Sequence, residues 1–294
     1  MVSRSSPKLG GAFSRALTYF ALATISLFML LPFFWMVSTS LKIDAEIFTP
    51  GIKWIPSQLD WENYTYIFRD LNMEVLFRNT IFVTLIAVVA QIILCSMAGF
   101  AFARLHFRGR DVLFLAVLIT MTVPFEVLVL PLFILIRRFP FAGGNDLLGN
   151  GGIGLMNSYA GIVFPHLVTV YGIFIFRQFF LGFPKELEDA ARIDGASRLR
   201  IYWSLLMPNS APVVGTMGLF AFLWAWNDLL WPVIVVKENS MKTLQAGLAI
   251  VAQNPSRWGE MMAASVIITL PVIFVFLLLQ RFLVQGVATS GLKG

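Results

Sequence analysis

Charged residues are scarce in this sequence. Asp, Glu, Lys and Arg make up 13% of the 294 residues, whereas a soluble domain has about 25%. The shortage is concentrated in six runs that contain at most one charge each: residues 16–41, 79–103, 112–136, 147–176, 201–236 and 261–280. A helix needs about 20 apolar residues to cross the hydrocarbon core, and every run is long enough. Because lipid cannot satisfy an open sheet edge, we predict an all-α polytopic membrane protein with six transmembrane helices.

Cysteine and histidine are nearly absent. The single cysteine, Cys95, lies within the second run, so no disulfide and no cysteine-based metal site can form within the chain. His106 and His166 are far apart in sequence, and we expect neither a metal site nor a catalytic histidine. No G-x-x-x-x-G-K-[ST] motif occurs, so we expect no ATPase activity and no cofactor in this chain. The stretch GNGGIG at 149–154 follows no predicted strand, which indicates a flexible loop rather than a dinucleotide site.

The net charge of +6 is best explained by membrane topology. If the N-terminus is cytoplasmic, 13 of the 22 Lys and Arg residues fall in inside segments and 9 fall in the longer outside loops. This bias predicts that both termini are cytoplasmic and gives no reason to expect nucleic acid as a partner. The predicted organisation is a cytoplasmic tail over 1–15, a six-span domain over 16–284 and a second tail over 285–294.

One short interval is rich in charged residues, unlike the rest of the chain. Half of the residues from Lys185 to Arg200 are charged. Acidic residues stand in the first turn of a predicted helix, where they favour the helix dipole. Gly195 can end that helix in a left-handed conformation, and Ser197 can cap a second helix. Leu187, Ala190, Ala191 and Asp194 are spaced to share one face. A helix lying on the bilayer is the alternative, but its apolar face would lack large anchoring side chains.

This interval resembles the EAA loop of membrane subunits of bacterial ATP-binding-cassette (ABC) importers. The family pattern is Glu-Ala-Ala, three residues, Gly, nine residues, Ile, one residue and Leu-Pro. The present chain has Asp189-Ala190-Ala191, Gly195, Leu205 and Met207-Pro208 at the same spacings. The departures are Asp for Glu, Leu for Ile and Met for Leu. The segments LLPFFWMVSTSLK, GFAFARLHFRGR, WNDLLWP and the closing MAASVIITLPVIFVFLLLQRFLVQGVATSGLKG extend the resemblance to the six-span, maltose-permease-like carbohydrate branch.

The resemblance implies a set of partners. It implies a heterodimer with a second, related permease subunit, two ABC ATPase subunits that carry ATP and Mg²⁺, and an extracytoplasmic solute-binding protein. The loop 184–208 would be the cytoplasmic coupling loop that docks on an ATPase, through Glu186, Asp189, Ala190, Ala191, Asp194, Gly195 and Pro208. The outside loop 237–260 would reach the binding protein, with Asn254, Arg257 and Trp258 as candidate contacts. The setting would be the bacterial inner membrane, with sugar and lipid as further partners.

Two acidic residues fall within predicted spans. Charge there is costly and usually faces the bundle interior or a water-filled path, so Glu126 and Asp228 are candidates for the substrate path. Trp224 and Asn227 stand close to Asp228, and aromatic faces beside amide and carboxylate groups suit a sugar. A structural hydrogen-bond cluster is the alternative. An ion-coupled secondary transporter that uses Glu126 or Asp228 is the competing function. An intramembrane enzyme has no supporting constellation of side chains.

Overall fold

The fold is helical throughout the described part of the chain. A computed structural model describes residues 9–290, with side chains over 14–282. Residues 1–8 and 291–294 of the two predicted tails lie outside the described residues. Fourteen α-helices occur over 9–290: α1 Leu9–Ser40, α2 Asp44–Ile47, α3 Glu62–Asp70, α4 Met73–Arg104, α5 Arg110–Ile119, α6 Phe125–Arg137, α7 Tyr159–Val163, α8 Val170–Leu181, α9 Lys185–Ile193, α10 Arg198–Ile201, α11 Ala211–Trp226, α12 Leu230–Val235, α13 Leu244–Val251 and α14 Trp258–Ser290.

The six predicted spans are present, in two forms. Three straight stretches are long and apolar enough to cross a membrane: Ser14–Ser40, Met73–Arg104 and Pro255–Phe282. Three further spans are pairs of helices with a break between them: Arg110–Thr122 with Phe125–Arg137, Tyr159–His166 with Val170–Leu181, and Arg198–Leu206 with Pro208–Trp226. The all-α, six-span prediction is therefore confirmed.

The broken spans depart from the straight helices that the uncharged runs suggested. The third bends by 104° at Val123 and Pro124, which have extended backbone conformations. The fourth bends by 48° and the fifth by 44°. A proline removes a backbone donor and disfavours a helical conformation in the residue before it, so Pro124 gives a physical reason for the sharpest bend.

The described chain divides into two compact units. The first contains residues up to Leu71 together with Val251–Ile268. Within it, the Asn63 amide donates to the backbone oxygens of Ser40 and Lys42, which fixes α3 against the end of α1. The Lys42 ammonium lies 4.0 Å from the ring centre of Trp35 and donates to Lys53 O. Burial lowers the pKa of Lys42.

The second unit contains Asn72–Ile250 and the residues from Thr269 onward. Within it, α8 and α11 both pack on α4. α8 comes close to α4 because Gly99 of α4 has no side chain: a Cβ there would lie 2.7 Å from Phe176 Cβ. The core at this contact is largely aromatic, with Phe100, Phe176, Phe180 and Tyr202 all buried.

Polar side chains run the length of α4 and bind the elements around it. Asn79 donates to Ser240 O and Lys242 O and accepts from the Tyr159 hydroxyl. Gln91 donates to His166 O at 2.8 Å. Such interhelical bonds hold membrane helices together because lipid offers these groups no partner. The second span is therefore the element on which this unit is organised.

A buried ion pair lies at the C-terminal end of α4. Arg104, the last residue of α4, places its Nε atom 2.6 Å from Glu188 Oε1, and both side chains are only 5% exposed. Arg104 Nη2 also donates to Phe183 O at 2.7 Å. Glu188 lies in α9, so the pair ties the first helix of the charged loop to the end of the second span.

The pair makes a specific prediction about stability. Glu188→Ala would leave a buried, unpaired guanidinium and should destabilise the fold by about 3–5 kcal/mol. The double replacement Arg104→Met with Glu188→Leu removes both charges and should recover most of that loss, since a buried pair can be replaced by apolar groups at little cost. Thermal unfolding of the detergent-solubilised protein measures both effects.

The matched control is the exposed pair on the same helix. Arg192 Nη1 and Asp189 Oδ1 are 3.4 Å apart, and both side chains are at least half exposed. Arg192→Ala should change stability by less than about 1 kcal/mol. Equal losses for Glu188→Ala and Arg192→Ala would show that the buried pair has no special role.

Candidate functional site

The charged loop, residues 184–208, has the turn that the sequence predicts. α9 ends at Ile193, and Gly195 has a left-handed backbone with φ 80°. Gly195 N donates to Arg192 O at 3.0 Å and Ala196 N donates to Ala191 O at 2.9 Å. This is a Schellman ending, in which the left-handed residue is usually glycine. Ser197 then caps α10 by accepting a hydrogen bond from Arg200 N, also as predicted.

The two faces of α9 differ sharply. Glu188 is buried, and Ala191, one turn later, packs on the unit's own core. Ala191 is half-buried and stands at the edge of the face that it shares with Leu187, Ala190 and Asp194, next to the buried Glu188. The exposed residues of this helix and its C-terminal end combine apolar, acidic and basic side chains: Lys185, Glu186, Leu187, Asp189, Ala190, Arg192, Ile193 and Asp194. Ile193, the last residue of the helix, is 87% exposed.

The charged loop makes a second contact with α4, just before the fifth span. A π-helical turn, Tyr202–Leu206, follows α10, and Pro208 begins a short 3₁₀ turn before α11. The Tyr202 hydroxyl lies 2.7 Å from Ser96 Oγ, and Tyr202 is fully buried. Ser96 belongs to α4. Helix α9 and the π-helical turn after α10 are thus both bonded to the same span.

Asp228 lies in a helix break rather than within a continuous span. Residues 227–229 separate α11 from α12. Asp228 Oδ2 is 3.2 Å from His166 Nε2, with both side chains largely buried. Asp228 Oδ1 accepts a hydrogen bond from Trp231 N at 3.3 Å. His166 ends the 3₁₀ turn at the bend of the fourth span, so the pair joins two breaks.

Trp224 belongs to the same cluster as this pair. Its ring meets the His166 ring edge to face, with ring centres 4.1 Å apart, and a second edge contact comes from Phe125 at 6.2 Å. Asn227, in contrast, is exposed; it donates to Leu223 O and accepts from the Gln245 amide. Trp224 and Asp228 are therefore brought together through His166, and Asn227 makes separate contacts.

Glu126 is separate from this cluster. It lies in the first turn of α6, just after the 104° bend, and is exposed. Within the part of the chain whose side chains are described, no cation lies within ion-pair distance of Glu126, and no group of three or more His, Cys, Asp or Glu side chains could hold a metal ion.

The candidate contacts for a binding protein belong to the first unit. Asn254 is exposed and its side chain accepts a hydrogen bond from Ser256 N, which begins a short 3₁₀ turn. The Arg257 guanidinium lies 4.4 Å from the ring centre of Tyr66. Trp258 is exposed at the start of α14. The three side chains follow one another around a single tight turn.

Sequence reasoning missed three of the contacts that organise the site. Arg104 with Glu188, His166 with Asp228, and Ser96 with Tyr202 each join residues far apart in the chain. One signal was available: Asn79, Gln91 and Ser96 interrupt an otherwise apolar run, and polar groups at membrane depth require partners. That signal indicates a need for partners without saying which residues supply them.

The chain is similar in sequence to known transport proteins. A family described as binding-protein-dependent transport system inner membrane component matches residues 91–289. The arabinooligosaccharide transport system permease protein AraQ of Halalkalibacterium halodurans is 33% identical over 276 residues, which cover 92% of this chain and 94% of that protein. The sn-glycerol-3-phosphate transport system permease protein UgpE of Yersinia pestis bv. Antiqua is 28% identical over 256 residues, which cover 84% of this chain and 86% of that protein.

A solved structure shares the fold. A crystal structure of a bacterial ABC transporter involved in the import of the acidic polysaccharide alginate contains a chain that superposes with a TM-score of 0.75 at 22% identity. The match covers 95% of this chain and 99% of that one. With the family match extending over the charged loop and the last four spans, the protein belongs to the inner membrane components of binding-protein-dependent transport systems.

Proposed function

We propose that this chain is one of two permease subunits of an ABC importer that moves a sugar or oligosaccharide into the cell by alternating access. The observation that carries the proposal is the two-faced helix α9. One face is bonded to α4 through the buried Arg104–Glu188 pair, and the other is exposed and carries apolar and charged side chains. A docking surface joined rigidly to a span can transmit the motion of a partner to that span.

The proposal assigns a position to each partner. Two ATPase subunits, which carry ATP and Mg²⁺, would lie below the membrane, with one docked on the charged loop of this chain; the chain itself would hold no cofactor. A second, related permease subunit would complete the membrane domain. A solute-binding protein would approach Asn254, Arg257 and Trp258 from outside. Both termini would be cytoplasmic, because Lys and Arg residues are more frequent in the segments then placed inside.

Carbohydrate is the substrate class that the observations support best. The relatives include an arabinooligosaccharide permease, and Trp224 lies beside the Asp228–His166 pair. Aromatic faces with fixed polar groups suit sugars, which have apolar C–H faces and hydroxyl groups. Trp224, Asp228, Asn227 and Glu126 are the proposed residues of the substrate path.

Uptake by the reconstituted complex tests this function directly. Proteoliposomes with both permease subunits and the ATPases should import a labelled oligosaccharide when ATP is inside and the binding protein is outside. Liposomes that contain this chain alone should import none under an ion gradient. Gradient-driven uptake by the lone chain would contradict the proposal and support the competing secondary transporter.

The Gly195 turn yields a prediction about coupling. Gly195→Val forces a β-branched residue into the left-handed region at a cost of about 1–2 kcal/mol, so the turn should change conformation and tilt α9. We expect the loss of most substrate-stimulated ATPase activity in the complex, and a similar loss for Ala191→Arg, which places a cation against the core.

The control for this turn is Gly195→Asn. Asparagine adopts the left-handed conformation more readily, and a Cβ at this position would meet no atom within 4 Å. It should retain most of the stimulated rate. Wild-type rates in Gly195→Val and Ala191→Arg would show that the charged loop is not the coupling element.

A further inference from the structure

A cavity of about 350 Å³ lies among α4, α8 and α11. This volume is within the range of small-molecule sites, about 300–1,000 Å³. The lining residues are Gln91, Thr169, Tyr171, Met217, Phe220, Ala221 and Trp224. Gln91 stands near the middle of the 32-residue helix α4, and Thr169 lies at the break of the fourth span. Transporter sites are commonly found at such breaks near the middle of the membrane.

Three aromatic side chains form much of the wall. Tyr171 and Phe220 meet edge to face, with ring centres 5.8 Å apart, and Trp224 completes the set. About two fifths of each side chain is exposed. The Trp224 ring also contacts the ring of His166, which is itself paired with Asp228. The ring is therefore fixed in orientation before any ligand enters.

The cavity also has a fixed polar group. Gln91 is only 1% exposed, and its amide nitrogen donates to His166 O. This bond orients the amide and leaves its carbonyl oxygen free of hydrogen bonds among the described side chains. The Tyr171 hydroxyl likewise has no hydrogen bond within that part of the chain. Two groups are thus available for ligand hydroxyls beside an aromatic wall.

Among the side chains that the structure describes, none of those lining this cavity is charged. A phosphate or carboxylate ligand would lose its hydration there without gaining a cation, which is a large cost in a low-dielectric site. A neutral sugar has no such cost, because its C–H face packs on the rings and its hydroxyls bond the amide and the phenol.

We propose that this cavity binds one ring of a neutral saccharide, with Trp224 and Tyr171 as stacking surfaces and Gln91 as the hydrogen-bonding group. His166 and Asp228 act as positioning residues for the Trp224 ring. The inference rests on the proposed function and deepens it, since it separates neutral sugars from glycerol phosphates and acidic sugars.

The test measures substrate selection and coupling in the complete reconstituted importer. Wild-type proteoliposomes are offered neutral pentose and hexose oligosaccharides, a uronate oligosaccharide and glycerol 3-phosphate, each with a binding protein that carries it. We expect import of a neutral saccharide. Import of only an anionic solute would overturn the neutral-sugar site, whereas import of none would overturn the proposed function itself.

Variants then test the cavity. For the imported sugar, Trp224→Ala should lower the amount of sugar imported per ATP hydrolysed by about tenfold, and Trp224→Phe should restore much of it. Phe274→Ala, on an exposed aromatic residue of the last helix, should leave this ratio unchanged. Phe220→Ala should also lower the ratio, and it replaces Trp224→Ala if that variant does not assemble.

Two results would overturn the site. Wild-type ratios in both Trp224→Ala and Phe220→Ala would show that sugar does not contact the cavity. Loss of binding to the second permease subunit in both variants, measured by co-purification, would show that this surface is covered by that subunit instead.

Discussion

The buried Arg104–Glu188 ion pair is the constraint on which the rest of this architecture depends. Two charges in a largely apolar protein are stable there only because each satisfies the other, and removing one would leave an uncompensated buried charge. The pair fixes which face of α9 turns inward. The opposite face is then exposed, with Ile193 and the acidic residues directed away from the protein's own core.

The second span connects this loop to the interior of the unit. Arg104 binds α9, Ser96 binds the π-helical turn of the charged loop, and Gln91 binds the bend of the fourth span at His166. Any displacement of the loop therefore acts on the same helix that borders the Trp224 cavity. The architecture gives a continuous path of buried contacts from the charged loop to the proposed sugar site.

The sequence predicts the elements of this fold better than their contacts. Long uncharged runs identify six spans because lipid excludes charge, and the Gly195 turn follows from glycine's access to left-handed backbone. The run around Asp228 suggested a charge within a continuous span, but the helix breaks there and His166 pairs with the carboxylate. Periodicity and composition describe local structure, and they do not identify a partner 84 residues away, such as Glu188 for Arg104.

Photo-cross-linking from Ile193 in intact membranes shows whether the charged loop docks on an ATPase subunit. A benzophenone side chain at this position lies on the free face of α9. We expect a covalent adduct with an ATPase subunit. As a control, the same probe at the exposed Val112 of α5 should give no such adduct. Adducts with lipid and no adduct with an ATPase from Ile193 would contradict the account, because the charged loop would then lie on the membrane instead of docking on a partner.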